Sequence, residues 1–217
     1  MKINKCTRIL IIANGQINSA KLLNAFARRA DCIIAADGGS LICYRKQIYP
    51  HFIVGDLDSV DENVLDYFRT RDTEIIHIPD QNRHDLDKAL GFALTLKPAV
   101  IDVLGAFGKR LDHSLANLVF IQSQTFDIPL QFVDDYGRLS YIHGVYELDL
   151  PAGSTVSLFS FLPVAGLSLE GFEYPLHDMD FPDGFNGLSN KTIKIKSKIS
   201  VRQGSLFLYC LHEDTST

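Results

Sequence analysis

Short strand-like runs recur along the first part of the chain, at Ile9–Ala13, Cys32–Ala36, Phe52–Val54, Glu74–Ile78, Val100–Leu104 and Leu130–Val133, and the first two are continuously apolar. Runs without polar alternation are what strands buried on both faces of a parallel sheet require. Between them the apolar positions shift to a spacing of three and four, the signature of amphipathic helices. Ser19 can cap a helix carrying Leu22, Leu23, Phe26 and Ala27 on one stripe. A short helix over 41–46 follows the second strand. Glu62–Arg69 presents Val64, Leu65 and Phe68 inward, and Asp85 opens a helix with Leu86, Leu90, Ala93 and Leu94 on one face. Leu111, Leu115, Leu118 and Val119 are expected to face inward on a further helix. Alternation of this kind predicts βαβ units with right-handed crossovers, hence a Rossmann-like parallel sheet with helices on both faces.

The pattern changes over residues 134–144. Beyond it no helical period is visible, and short β-rich runs take over at Ser140–Ile142, Thr155–Phe161, Leu167–Glu170, Thr192–Ile195 and Ser205–Leu211. Glycine and proline punctuate them, among others at Pro151, Gly153, Pro163, Gly166, Gly171, Pro175, Pro182, Gly184, Gly187 and Gly204. Short strands with turns between them predict an antiparallel sandwich or barrel. Two domains are expected: an α/β catalytic domain over 1–138 and an all-β domain over 139–217.

Composition narrows the class. The 217 residues are 46% hydrophobic and 22% charged, the balance of a folded globular protein. A formal charge of −5 without a lysine/arginine block argues against nucleic acid or a membrane surface as partner. The four cysteines, Cys6, Cys32, Cys43 and Cys210, lack CxxC spacing and read as thiols of a reducing compartment. The segment from Met1 to Cys6 has no apolar core of the length a secretion signal needs, and a cytoplasmic protein is expected.

Candidate chemistry gathers where strands end. Asp37-Gly38-Gly39-Ser40 follows the second run, Asp56-Leu57-Asp58-Ser59 the third, Asp80 to Asp85 the fourth, and Gly105 to Asp112 the fifth. Any one of them reads equally well as a turn or a helix cap. In a parallel sheet, however, all strand C-termini share one edge, and ligands bind in the crevice outside it. With extended backbone, Asp56 and Asp58 point to the same side and can face one ion. With Asp85 they offer three hard oxygen donors, a set that suits Mg²⁺. Gly38, Gly39 and the Gly105–Gly108 loop allow backbone N–H groups to approach phosphate, although no Walker A sequence is present. Arg110 supplies a planar fork for phosphoryl oxygens, and His84 and His113 are titratable neighbours.

This succession of motifs, ending in Gly187-Leu188-Ser189-Asn190, resembles the thiamine pyrophosphokinase family over both predicted domains. The resemblance implies Mg²⁺-dependent transfer of pyrophosphate from ATP to the hydroxyl of thiamine, with release of AMP. It implies Asp56, Asp58 and Asp85 as metal ligands, and Arg110 and Asp112 beside the ATP phosphates. Asp37, Gly38, Gly39, Gly105, Gly108 and His113 fall on the ATP side. Gln81, with Asp58, would meet thiamine in one subunit, and Ser189 and Asn190 in the other, which makes a homodimer the expected assembly. Read without the family, Ser189-Asn190 is a turn.

The chain departs from the family pattern at Asn82, His84, Lys109 and Lys191, and it has no tryptophan to lie against thiamine. Phe185 and Tyr209 are the aromatic residues considered for that role. Two further readings keep part of the argument: a pyrophosphokinase acting on another small alcohol of the pterin type, and a non-catalytic thiamine- or nucleotide-binding module. Release of phosphate without an acceptor would point instead to a metal-dependent phosphohydrolase.

Overall fold

A computed structural model describes residues 6–124 and 126–212. Residues 1–5, which carry most of the N-terminal segment read above, lie outside the described residues. The chain divides into two compact units, Met1–Asp135 and Tyr136–Thr217.

In the first unit six strands alternate with five helices: β1 (Arg8–Ile12), α1 (Ala20–Arg29), β2 (Cys32–Ala36), α2 (Gly39–Lys46), β3 (Phe52–Gly55), α3 (Glu62–Arg69), β4 (Glu74–His77), α4 (Asp85–Thr95), β5 (Val100–Leu104), α5 (Leu111–Gln122) and β6 (Leu130–Val133). The strands lie in the order β6-β5-β1-β2-β3-β4. Each adjacent pair is parallel. β1 and β2 sit inside this sheet and are buried along nearly their whole length, as their continuous apolar sequences require. The order reverses between β1 and β5, so the C-terminal ends of these two strands flank the position where parallel sheets bind ligands.

Helix ends follow local chemistry. The Ser19 hydroxyl accepts from the Leu22 N–H at 3.1 Å and caps α1. The Asp135 carboxylate adds bonds from the Asn18 and Ser19 N–H groups at 3.0 and 2.8 Å. The core joins Leu10, Ile12, Leu23, Phe26, Ile53, Leu65 and Phe68. Phe68 meets the Tyr44 and Tyr67 rings edge-on, with centroids 6.4 and 5.2 Å away.

Two helices differ from their sequence pattern. On α4, Leu86, Ala89, Leu90 and Ala93 are buried but Leu94 is exposed, and the buried face also contains Lys88. On α5 the expectation of an inward stripe is overturned, since Leu111, Leu115 and Val119 are 73%, 48% and 63% exposed. The four-residue repeat is real, yet α5 buries Ile121 and Gln122 instead. Periodicity identifies an apolar face without saying what covers it.

The second unit contains β7 (Gly137–Asp149), β8 (Thr155–Ser160), β9 (Val164–Glu170), β10 (Leu176–Phe181), β11 (Phe185–Lys191) and β12 (Lys196–Leu211). All of its pairings are antiparallel: β12 with β7, β8 and β9, β9 with β10, and β8 with β11. Val156, Leu158, Leu167, Leu169, Phe172, Ile199, Leu206 and Leu208 form its core. Thr192–Ile195 is not the expected strand; Thr192 makes an isolated bridge to Phe172, and β12 starts at Lys196. β10 and β11 lack apolar alternation and escape a pattern reading. Ser189-Asn190 is not a simple turn but lies within β11, where the register shifts between Gly187 and Asn190.

Cys6, Cys32 and Cys43 are buried, Cys210 is half-buried, and all four are free thiols. Burial pushes the Cys43 thiol up to about 12, so it stays protonated and behaves as a small apolar residue. Among the described residues no helix is long and apolar enough to cross a membrane.

Phe68→Ala is expected to destabilise the protein by about 3–5 kcal/mol, because a fully buried ring leaves a cavity that its neighbours cannot close. Denaturant titration measures this. A loss below about 1 kcal/mol would show that the aromatic group around Phe68 is loosely packed.

Candidate active site

The C-terminal ends of β1 and β5 are joined by backbone hydrogen bonds. Ala13 N–H donates to the Leu104 carbonyl at 2.8 Å, Gly15 N–H to Gly105 at 2.6 Å, and Gln16 N–H to Phe107 at 2.8 Å. Gly105 adopts φ +71°, and a Cβ there would strike the Ala13 carbonyl, so glycine is required on two grounds. Asn117 Nδ2 donates to the Ala106 carbonyl at 2.6 Å, and Gly108 N–H donates to the Ser114 hydroxyl at 3.2 Å, which ties the loop down onto α5. Lys109 Nζ reaches back to the Asn14 carbonyl and Oδ1 at 2.5 and 2.9 Å. The loop carrying Gly105 and Gly108 is therefore ordered by the loop after β1. That partner, Asn14-Gly15-Gln16, is not among the polar clusters picked out from the sequence.

Next to it, β2 and β3 end in an acidic group. Asp37 is 1% exposed, and its Oδ1 accepts from the Leu57 N–H at 3.0 Å. Gly55 permits this approach, since a Cβ there would lie 2.8 Å from the Asp37 Cβ. Asp37, Asp56 and Asp58 each bring a carboxylate oxygen within 4.8 Å of the others. Convergence of Asp56 and Asp58 was expected, but not by this route. Leu57 between them has φ 67°, so left-handed backbone, not an extended strand, brings the two side chains together.

Asp85, the third ligand named from the sequence, opens α4 beside this trio. Its carboxylate lies 3.6 Å from Lys88 Nζ, and the same ammonium lies 2.6 Å from Asp56 Oδ2. Lys88 is 1% exposed. The structure thus groups Asp37 with Asp56 and Asp58, and links Asp85 to them through Lys88. Sequence reasoning passed over Lys88 because a lysine on a helix ordinarily reads as a solvated residue. Its place on the stripe of Leu86, Ala89, Leu90 and Ala93 was the available signal.

Electrostatics follow from these contacts. The Lys88 hydrogen bond holds the Asp56 carboxyl below its usual range. Burial raises Asp37, and the nearby Asp85 charge raises it further. Burial likewise raises Asp85, partly opposed by Lys88. For Lys88 burial favours the neutral amine, but the bond and charge of Asp56 outweigh it and the pKa rises.

The remaining expected residues are more open. Arg110 and Asp112 form a two-point ion pair on the surface, Nε to Oδ1 at 3.1 Å and Nη2 to Oδ2 at 2.5 Å, which holds Asp112 down at about 2. His113 is exposed, and His84 occupies the N-cap position of α4 without a side-chain capping bond. Gln81 is exposed in the loop before α4, where Asp80 accepts from the Asn82 N–H at 2.9 Å. Gly38 and Gly39 begin α2; a Cβ on Gly39 would meet the Ile12 carbonyl, and one on Gly38 the Asn14 side chain. A cleft of about 540 Å³ opens beside Asp56, lined by Leu57, Glu62, Leu65, Arg69, Ile75 and His77.

In the second unit Ser189 has φ 58°, and its N–H donates to the Ser157 hydroxyl at 3.0 Å. Asn190 is buried, and its amide is occupied within the chain. Oδ1 accepts from the Tyr174 and Lys191 N–H groups, and Nδ2 donates to the Tyr174 carbonyl. Asn190 therefore fixes the segment bearing Tyr174, whose side chain is 65% exposed.

Both units match models of one family. Residues 23–132 match the thiamin pyrophosphokinase catalytic domain, and residues 143–206 match its vitamin B1 binding domain. The chain belongs to the thiamin pyrophosphokinase family. It is 26% identical over 208 residues to a thiamine pyrophosphokinase of Bacillus subtilis (strain 168), covering 92% of this chain and 96% of the relative. A thiamin pyrophosphokinase 1 of Caenorhabditis elegans is 25% identical over 222 residues, covering 91% and 88%. The crystal structure of the Bacillus subtilis enzyme superimposes with a TM-score of 0.82 at 23% identity over 95% of this chain and 99% of that one. A solved structure of the thiamin pyrophosphokinase from Candida albicans gives a TM-score of 0.79 at 19% identity, covering 95% of this chain and 90% of that one.

Asp37 offers a test of the acidic group's electrostatics. The folded chain raises its pKa, so it holds the proton more tightly than the unfolded chain does, and the ionised form at neutral pH opposes folding. Asp37→Asn retains an oxygen for the Leu57 N–H and removes the charge. Without divalent ions the variant is expected to melt at a higher temperature than wild type at pH 7. The gain should shrink as the pH falls towards the ordinary carboxylate range, where wild-type Asp37 is protonated too. A variant that melts lower than wild type at pH 7 would overturn this account.

Proposed function

We infer that this enzyme transfers the β,γ-pyrophosphate of ATP to the hydroxyl of thiamine, giving thiamine diphosphate and AMP. The observation that carries the reading is that both halves of the chain match the family's two domain models while the catalytic half brings Asp37, Asp56 and Asp58 together. The chain's own residues take the following roles. Asp56 and Asp58, with Asp37 beside them and Asp85 across Lys88, form a set of hard oxygen donors that fits Mg²⁺. Bound there, the ion would neutralise charge on the phosphoryl oxygens as the hydroxyl attacks the β-phosphorus and AMP departs. Backbone N–H groups around Gly38, Gly39, Gly105 and Gly108 line the phosphates. Arg110 exchanges Asp112 for phosphoryl oxygens, which its planar fork matches, and His113 lies at the same helix start. Gln81 and Asp58 face thiamine from the catalytic domain. In the β domain Ser189 meets thiamine, and Asn190 supports that loop from within.

The same reading describes residues 1–138 as a Rossmann-like ATP-binding domain with helices on both faces, and residues 139–217 as a β-sandwich or barrel that takes thiamine. It includes a cytoplasmic location and a homodimer. The exposed stripe Leu111, Leu115 and Val119 is apolar surface of the kind a second copy would cover.

Asp56→Asn is expected to lower turnover by about 10²–10⁴-fold with the fold retained, as loss of a charge-stabilising group does. The assay supplies Mg²⁺, ATP and thiamine and separates the products. AMP and thiamine diphosphate in equal amounts support the reading, and ADP with thiamine monophosphate overturns the reaction type. Near-wild-type turnover in a folded Asp56→Asn protein removes the metal role of this residue.

A further inference from the structure

We propose that Lys88 is a tethered counter-ion that takes the position of a second cation in the acidic site, so that each chain binds a single divalent ion. It is a positioning residue for Asp56 and Asp85, and the inference rests on the metal reading above.

Four carboxylates meet here from three places in the chain: Asp37 after β2, Asp56 and Asp58 after β3, and Asp85 at the start of α4. α4 packs against β2 and β3, and Lys88 projects from its buried face, one turn beyond Asp85. The ammonium bridges two carboxylates from different elements, Asp56 at 2.6 Å and Asp85 at 3.6 Å. Two-metal phosphoryl-transfer sites place a second ion in this bridging relation to shared carboxylates, about 3.5–4 Å from the first. Here a single positive charge on a covalent stem already fills the place, within hydrogen-bond distance of the Asp56 oxygen that the second ion would need. A divalent cation entering there would have to displace a buried ammonium, whose side chain is 1% exposed. The carboxylate oxygens of Asp37, Asp56 and Asp58 that lie within 4.8 Å of one another remain as the place for one ion.

A plainer account makes Lys88 only the clamp that seats α4, since a buried lysine needs an anionic partner wherever it occurs. The number of bound ions separates the two accounts, because a clamp has no influence on it. Mn²⁺ serves as the probe, with no nucleotide present, counted by electron paramagnetic resonance of the free ion. Wild-type protein is expected to bind one Mn²⁺ per chain; two would overturn the proposal without recourse to any variant. Lys88→Met retains the length of the stem and removes the charge. It is expected to bind a second Mn²⁺ per chain. Lys88→Met combined with Asp85→Asn removes one charge of each sign and one of the two carboxylates the ammonium bridges, and should return to one ion per chain. A folded Lys88→Met protein that still binds one ion, at whatever affinity, overturns the inference and leaves the metal reading intact. No Mn²⁺ on wild-type protein overturns both.

Discussion

Four carboxylates held beside one buried ammonium are the constraint on which the catalytic unit turns. Like charges at this spacing repel strongly where water is excluded, and a fold that gathers them must supply compensation of its own. Lys88 provides part of it from inside α4, and the Leu57 N–H provides another part to Asp37. Burial raises Asp37 and Asp85, which shows that the compensation is incomplete. Such a site is poised to take up positive charge, as a site that handles a polyphosphate with its cation must be.

The parallel half of the molecule was legible because its physics is written in runs. Uninterrupted apolar segments such as Ile9–Ala13 admit one good solution, a strand covered on both faces, and the positions of the polar clusters follow from that. Convergence of Asp56 and Asp58 was also legible, but the cause was not. Spacing suggested an extended strand, whereas the chain uses left-handed backbone at Leu57, which no local composition announces in a leucine. Lys88 stayed hidden because its environment is created by strands distant in sequence. α5 misled for the opposite reason, since its leucines are periodic but meet no core in this chain.

The antiparallel half was harder to read. Leu-His-Asp-Met-Asp-Phe in β10 and Phe-Asn-Gly-Leu-Ser-Asn-Lys in β11 carry little apolar alternation, and tertiary pairing determines their state. The Ser189-Asn190 pair shows what this conceals. As sequence it is a turn, and by family resemblance a ligand contact. In the structure it is a bulged strand whose asparagine spends its amide on the Tyr174 backbone. The hydrogen bonds of Asn190 thus place the Tyr174 segment, which neither reading of the sequence foresees.

The hydrogen bonds that join the ends of β1 and β5 have a consequence for how ligand is received. Gly15 and Gln16 are bonded directly to Gly105 and Phe107, and Lys109 reaches back to Asn14, so the loops after β1 and β5 form one hydrogen-bonded rim. Ordering a loop of this length during binding would carry a conformational-entropy penalty of about 1–2 kcal/mol per residue, and here that penalty falls on folding instead. What remains free to adjust is a small set of surface side chains, Arg110 chief among them. Adaptation to any ligand at this rim is thereby reduced to rotamer changes on a preset frame.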